Sequence, residues 1–151
     1  MKDGCIFCDI INGDAPGRIV YRDGMTIAFF PRRPNARGHT LICPVEHHAD
    51  MLCMPQAAFE SMLVVTHRLA RHYRDELGAT GVNILNASGA DAQQSVFHCH
   101  LHLLPRFPGD GLDTWPNIPE WQGDLDELLR QVQIRDEDTQ PSVSGDASQR
   151  A

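Results

Sequence analysis

The run His98-Cys99-His100-Leu101-His102-Leu103-Leu104 constrains this 151-residue chain more than any other feature. Side chains alternate across a β-strand. Three imidazoles at a spacing of two therefore predict a strand with its histidines on one face. Cys99, Leu101 and Leu103 fall on the other face, where they read as core. Imidazole exchanges protons near neutral pH and also serves as nucleophile or metal ligand. One such row is more than packing requires. The first and third histidines would lie roughly 13 Å apart, too far for one metal ion to bind all three. At least one of them has a separate task.

The rest of the chain supplies a setting for that strand, predicted over Val96–Leu104. Short strands are predicted over Arg18–Arg22 and Thr26–Phe30, joined by the turn signal Asp23-Gly24. Further strands are predicted over His39–Cys43 and Gly81–Leu85. The best helix runs from Pro55 to Leu77, with Gly78 just beyond it and Ala58, Met62, Val65, Leu69 and Tyr73 as its inward stripe. A helical turn over residues 5–12 ending at Gly13 and a second helix over Asp124–Ile134 complete the list. Antiparallel strands with segregated helices make the fold class α+β. One long helix does not cover both faces of a five-stranded sheet, so a dimer is expected.

Charge divides the chain. Residues 1–109 hold ten acidic and ten basic side chains, and residues 110–151 hold ten acidic and three basic, so the second segment supplies the whole net charge of −7. The reading is one domain over residues 1–135 and an acidic, disordered tail over 136–151. No basic stripe is present for a nucleic-acid polymer. No run reaches the roughly 18 apolar residues of a membrane span, and Cys5 to Ile11 is too short for a signal segment. A cytoplasmic location is expected, which with five cysteines argues against a disulfide framework. Cys5-Ile6-Phe7-Cys8 could give two thiolates to zinc. Cys43, Cys53 and Cys99 lie in apolar stretches and read as packed hydrophobes. His48, His67 and His72 read as surface residues. The polar loop Asn86, Ser88, Gly89, Gln94 and Ser95 precedes the histidine strand and could donate to phosphate oxygens.

The run from Gln94 to Arg106 resembles the signature of the histidine-triad (HIT) family. Cys5 to Ile11, Gly38-His39-Thr40-Leu41-Ile42-Cys43-Pro44 with His47 beyond it, and Asn86 match in order, so the resemblance spans about residues 4–108. It implies a HIT-like fold, a five-stranded antiparallel sheet with one long and one short C-terminal helix in a homodimer. It also implies chemistry on the α-phosphate of a nucleotide or nucleotide conjugate. By position His100 would be the nucleophile, giving a nucleotidyl-histidine intermediate, and His102 would bind phosphate and assist the leaving group. His39, Asn86, Gln94 and Ser95 would line the site. In the zinc-bearing branch of the family, the positions of Cys5, Cys8, His47 and His98 hold one structural zinc, and no catalytic metal is expected. Two departures stand out. Pro31 occupies the place where many relatives carry an Asp that receives the ribose hydroxyls, with Arg32 and Arg33 following. Gln93 stands where relatives commonly have Gly. A nucleotide-binding sensor or scaffold and a metal-dependent hydrolase are the rival functions.

Overall fold

The computed structural model describes residues 2–114 and 119–134. The tail expected over 136–151 lies outside these residues. Contacts gather the chain into two units, Met1–Thr114 and Trp115–Ala151. In the first unit the order is α1 (Ile6–Asn12), β1 (Arg18–Arg22), β2 (Thr26–Phe30), β3 (Thr40–Pro44), α2 (Gln56–Leu77), β4 (Gly81–Leu85) and β5 (Leu101–Arg106). The second unit contributes α3 (Leu125–Val132), whose Asp124 side chain accepts from the backbone N–H groups of Asp126 and Glu127. Among the described residues no helix is long and apolar enough to cross a membrane.

The strands form one antiparallel sheet in the order β1-β2-β3-β5-β4. Each face has its own core. On one, α2 lays Met62, Val65, Leu69 and Tyr73 against Ala28, Ile42, Cys99, Leu101 and Leu103. On the other, α1 packs Phe7, Cys8 and Ile11 against Ile27, Phe29, Leu41 and Cys43. Tyr73 fixes α2 to the sheet through a 2.7 Å hydrogen bond between its hydroxyl and that of Thr40. Since Thr40 donates to the carbonyl of Gly38, Tyr73 is the donor to Thr40. Gly78 ends α2 in the left-handed region (φ 71°), and its N–H and that of Ala79 reach back to the carbonyls of Arg74 and Tyr73.

Several boundaries differ from the sequence reading. Strand β3 starts at Thr40, and α2 starts at Gln56 with Pro55 as its N-cap. Ala58 is only half-buried, and Thr66 joins the buried stripe of α2. The largest difference is β5, which begins at Leu101 and not at Val96. Sheet partners explain this. Strand β4 reaches only as far as the Leu85–His102 pair and β3 as far as the Ile42–Leu101 pair. Upstream, the backbone is bonded elsewhere: Cys99 N–H to the His48 carbonyl at 2.7 Å, and the His100 carbonyl to the Asn86 amide at 2.9 Å. Cys53 is a second correction, being exposed. Asp50 accepts from the N–H groups of Leu52 and Cys53, turning the chain outward before α2.

Candidate functional site

Leu41 pairs with His102, so both side chains share the face that α1 covers. His98 and His100 keep to the side opposite Cys99, Leu101 and Leu103, although neither lies in the strand proper. The alternation therefore survives where the sheet ladder does not. Rings of His100 and His102 stand 5.0 Å apart, centre to centre. His98 is turned toward another set of residues.

That set is Cys5, Cys8, His47 and His98, whose ligand atoms all lie within 4.8 Å of one another. The two Nδ1 atoms of His47 and His98 are 3.3 Å apart. Cys5 and Cys8 sulfurs lie 3.5 and 3.6 Å from Nδ1 of His98, and Cys8 sulfur 3.4 Å from Nδ1 of His47. Zinc bond lengths of about 2.3 Å to sulfur and 2.0–2.1 Å to nitrogen imply tetrahedral edges of roughly 3.3 Å between nitrogens and 3.6 Å between nitrogen and sulfur. The donor set fits such an ion. His98 also donates its Nε2–H to the Pro44 carbonyl at 3.0 Å, which leaves Nδ1 as the lone-pair nitrogen facing the cluster. His98 is fully buried, and burial is the main cause that brings its pKa down to about 4.

The other imidazoles form a hydrogen-bonded order of their own. His100 Nδ1 lies 2.7 Å from the His98 carbonyl. A carbonyl only accepts, so the proton of His100 sits on Nδ1 and its Nε2 lone pair is free. His39 Nδ1 accepts from the backbone N–H of Asn35 at 3.1 Å, which places the proton of the neutral ring on Nε2. That proton is donated to His102 Nδ1, 2.9 Å away. His102 then carries its own proton on Nε2. Adjacent imidazoles thus hold opposite tautomers, one with an available lone pair and one with an available N–H. Burial lowers the pKa of His39 and of His100. For His102, burial first and then the neighbouring His100 and His39 bring it to about 4.

The loop residues named from the sequence are mostly engaged in holding the loop. Gln94 is buried, accepting from Gly89 N–H and donating to the carbonyls of Ala49 and Val96. Asn86 donates to the His100 carbonyl and accepts from the Ser88 hydroxyl. Both ring nitrogens of His39 are likewise occupied. Ser95 is exposed, and with Val96, Phe97 and Lys2 it borders a hollow of about 280 Å³ that none of the imidazoles lines. Gln93 adopts φ 64°, the left-handed conformation a glycine would take there. His67 and His72 are exposed.

Two contributors were not assigned a part in the site from the sequence. His48 is not a surface residue: its side chain is 12% exposed, and its Nε2 is buried without a hydrogen-bond partner. Phe7, between the two cysteines, touches the rings of His98 and His100 at 5.9 and 5.2 Å. Its place in the Cys-x-x-Cys spacing was visible, but a contact 93 residues away was not.

Residues 12–109 match the family model described as the HIT domain. A HIT-like protein of Methanocaldococcus jannaschii is 36% identical over 85% of this chain and 98% of its own length. The adenylylsulfatase HINT3 of Arabidopsis thaliana is 30% identical over 87% of this chain and 67% of its own. Among solved structures, a zinc-bound histidine triad family protein from Mycobacterium smegmatis is 38% identical, with a TM-score of 0.71 over 84% of this chain and 88% of that one.

Proposed function

This chain belongs to the HIT family, and from that membership and its paired imidazoles we propose that it is a nucleotide hydrolase or transferase that works through a covalent intermediate on His100. The observation that carries the reading is the 2.7 Å bond from His100 Nδ1 to the His98 carbonyl. It leaves Nε2 as the neutral lone-pair nitrogen of a ring that stands 5.0 Å from that of His102, whose own proton is on Nε2. A nucleotide α-phosphorus placed beside the two rings meets a nucleophile and a hydrogen-bond donor together. His100 Nε2 forms a bond to phosphorus, and the bond to the leaving group breaks with its electron pair going to that group. His102 donates a hydrogen bond to a phosphoryl oxygen or to the departing atom. Water then attacks phosphorus and gives up a proton to solvent, matching the one the leaving group takes up, and the P–N bond breaks with its electron pair returning to Nε2 of His100. The Arabidopsis relative is named an adenylylsulfatase, and an adenylyl substrate is in keeping with this class.

Cys5, Cys8, His47 and His98 are proposed to hold one structural zinc. Four protein donors leave no open coordination position for substrate, which separates this site from a metal-dependent hydrolase. The ion would tie α1 and the segment after β3 to the histidine segment. A homodimer is also proposed, through the outer edge of β4, which no strand of the described residues pairs with and where Val82 and Ile84 are 41% and 49% exposed.

The test is to trap the intermediate. Intact protein incubated with a nucleoside phosphoramidate or a dinucleoside polyphosphate should gain one nucleotidyl mass, mapped by peptide mass spectrometry to His100. His100→Gly should form no adduct. Adduct on another residue, or wild-type turnover by His100→Gly, overturns the assignment.

A further inference from the structure

Phe7 joins the two halves of the site. It lies in the first turn of α1, between Cys5 and Cys8, and is 6% exposed. Its ring meets Phe29 at 5.3 Å, His98 at 5.9 Å and His100 at 5.2 Å, the last at an interplanar angle of 88°. Edge-to-face contacts of this kind are directional as well as apolar. Among the described residues His100 has one side-chain hydrogen bond, from Nδ1 to the His98 carbonyl. A single bond of that kind fixes the tautomer but leaves the ring able to pivot about the bond. The His102 ring lies 5.0 Å away at a tilt of 54°, and a contact perpendicular to the ring removes the freedom that remains. Phe7 supplies it, and Phe7 is held in turn by a helix whose flanking cysteines belong to the Cys2His2 cluster.

We propose that Phe7 is a positioning residue for His100, through which the Cys2His2 cluster sets the orientation of the nucleophile. This rests on the assignment of His100 given above. The cluster then does more than hold α1 in place. Release of Cys5 and Cys8 frees Phe7, and the His100 ring loses its fixed direction while the sheet and its α2 core remain formed.

The discriminating comparison uses two full-length variants, Phe7→Leu and Phe29→Leu. Both remove one buried ring from the same core, but of these two phenylalanines Phe7 is the one whose ring meets that of His100. Zinc content by elemental analysis should stay at wild-type level in both. In Phe7→Leu the ring ¹⁵N resonances of His100 should broaden or split, and adduct formation should slow by between about tenfold and a hundredfold with little change in KM. Phe29→Leu should keep the wild-type His100 spectrum. Equal effects from the two variants, or an unchanged His100 ring in Phe7→Leu, overturn the proposal. If Phe7→Leu does not fold, chelator titration of the wild type decides. The His100 ring signals should broaden before the amide spectrum collapses, and simultaneous loss counts against the proposal. Should wild type form no adduct at all, the nucleotidyl reading fails, while the ring spectra still decide whether Phe7 fixes His100.

Discussion

His39 Nε2 lies 2.9 Å from His102 Nδ1, with the two rings stacked at 29° and 5.2 Å between centroids. Because Asn35 N–H already occupies His39 Nδ1, the direction of this bond is set, and His102 is held as an Nε2–H donor without carrying a charge. His39 therefore acts through His102, having no ring nitrogen left for a ligand. His39→Leu should leave His102 Nδ1 without its donor and let both tautomers populate. Activity should fall by about tenfold, less than the roughly 10²–10⁴-fold of a full acid–base contribution, because His102 keeps its ring and loses only its fixed tautomer. His39→Gln, whose amide N–H can replace Nε2–H, should recover part of the loss. Ring ¹⁵N shifts of His102 in the three proteins check the cause. An unchanged His102 tautomer in His39→Leu would contradict it.

The pH dependence follows from the depressed imidazole pKa values. His100 and His102 both titrate below 6.5, His102 at about 4, so both are neutral at pH 7. The acid limb of kcat/KM should therefore fall below pH 6.5. Stability has the same sign. Between its folded pKa and its unfolded value near 6.5, His102 binds a proton only when unfolded, so its contribution is complete above about 6.5 and is lost as pH falls toward 4. Urea melts at pH 7.5, 5.5 and 4.5 should show a smaller decline for His102→Asn than for wild type. Parallel declines would rule out His102 as a source.

Gln93 gives a test of backbone strain. A left-handed conformation costs an ordinary residue roughly 1–2 kcal/mol. Gly relieves that but adds about 0.4–1 kcal/mol of unfolded-state entropy. Gln93→Gly should then stabilise by about 0.5–1 kcal/mol, raising Tm by a few degrees. Gln93→Val should lower it, since a branched Cβ is worse at φ 64°. Thermal melts of the three proteins check this, and a lower Tm for Gln93→Gly would show that the Gln93 side chain makes a stabilising contact.

Strands β1, β2 and β4 were legible to the residue because local signals bound them. Asp23 accepts from the N–H groups of Met25 and Thr26 and closes the β1–β2 turn, and Pro31 follows the last residue of β2. The start of β5 was not legible, because it depends on where the pairing with β3 and β4 ends and not on the residues of β5. The site followed the same rule. Residue types and their alternation pointed to His98, His100 and His102, since a period of two is local. The burial of His48 was hidden because it depends on tertiary packing. The occupied Nε2 of His39 was hidden too, because His102 meets that ring only after β3 and β5 pair.

The outer edge of β4 allows a last prediction. Among the described residues its backbone has β5 on one side and no strand on the other. Val82 and Ile84 point to the α2 face, being paired with Pro105 and Leu103, yet remain 41% and 49% exposed. Helix α2 does not cover them: Arg68 on one flank reaches Tyr21 of β1, and Leu63, 42% exposed, lies on the other flank with Phe59 and Ala70. An unpaired edge beside exposed apolar side chains is prone to pairing with another chain. A second copy related by a twofold axis can pair β4 with β4 and bury both patches at once. Light scattering should give twice the 16.8 kDa chain mass. Ile84→Lys should place a charge in that contact and give a monomer with an unaltered amide spectrum in β1, β2 and β3. A monomeric wild type, or a dimer indifferent to Ile84→Lys, would show that this edge is not the interface.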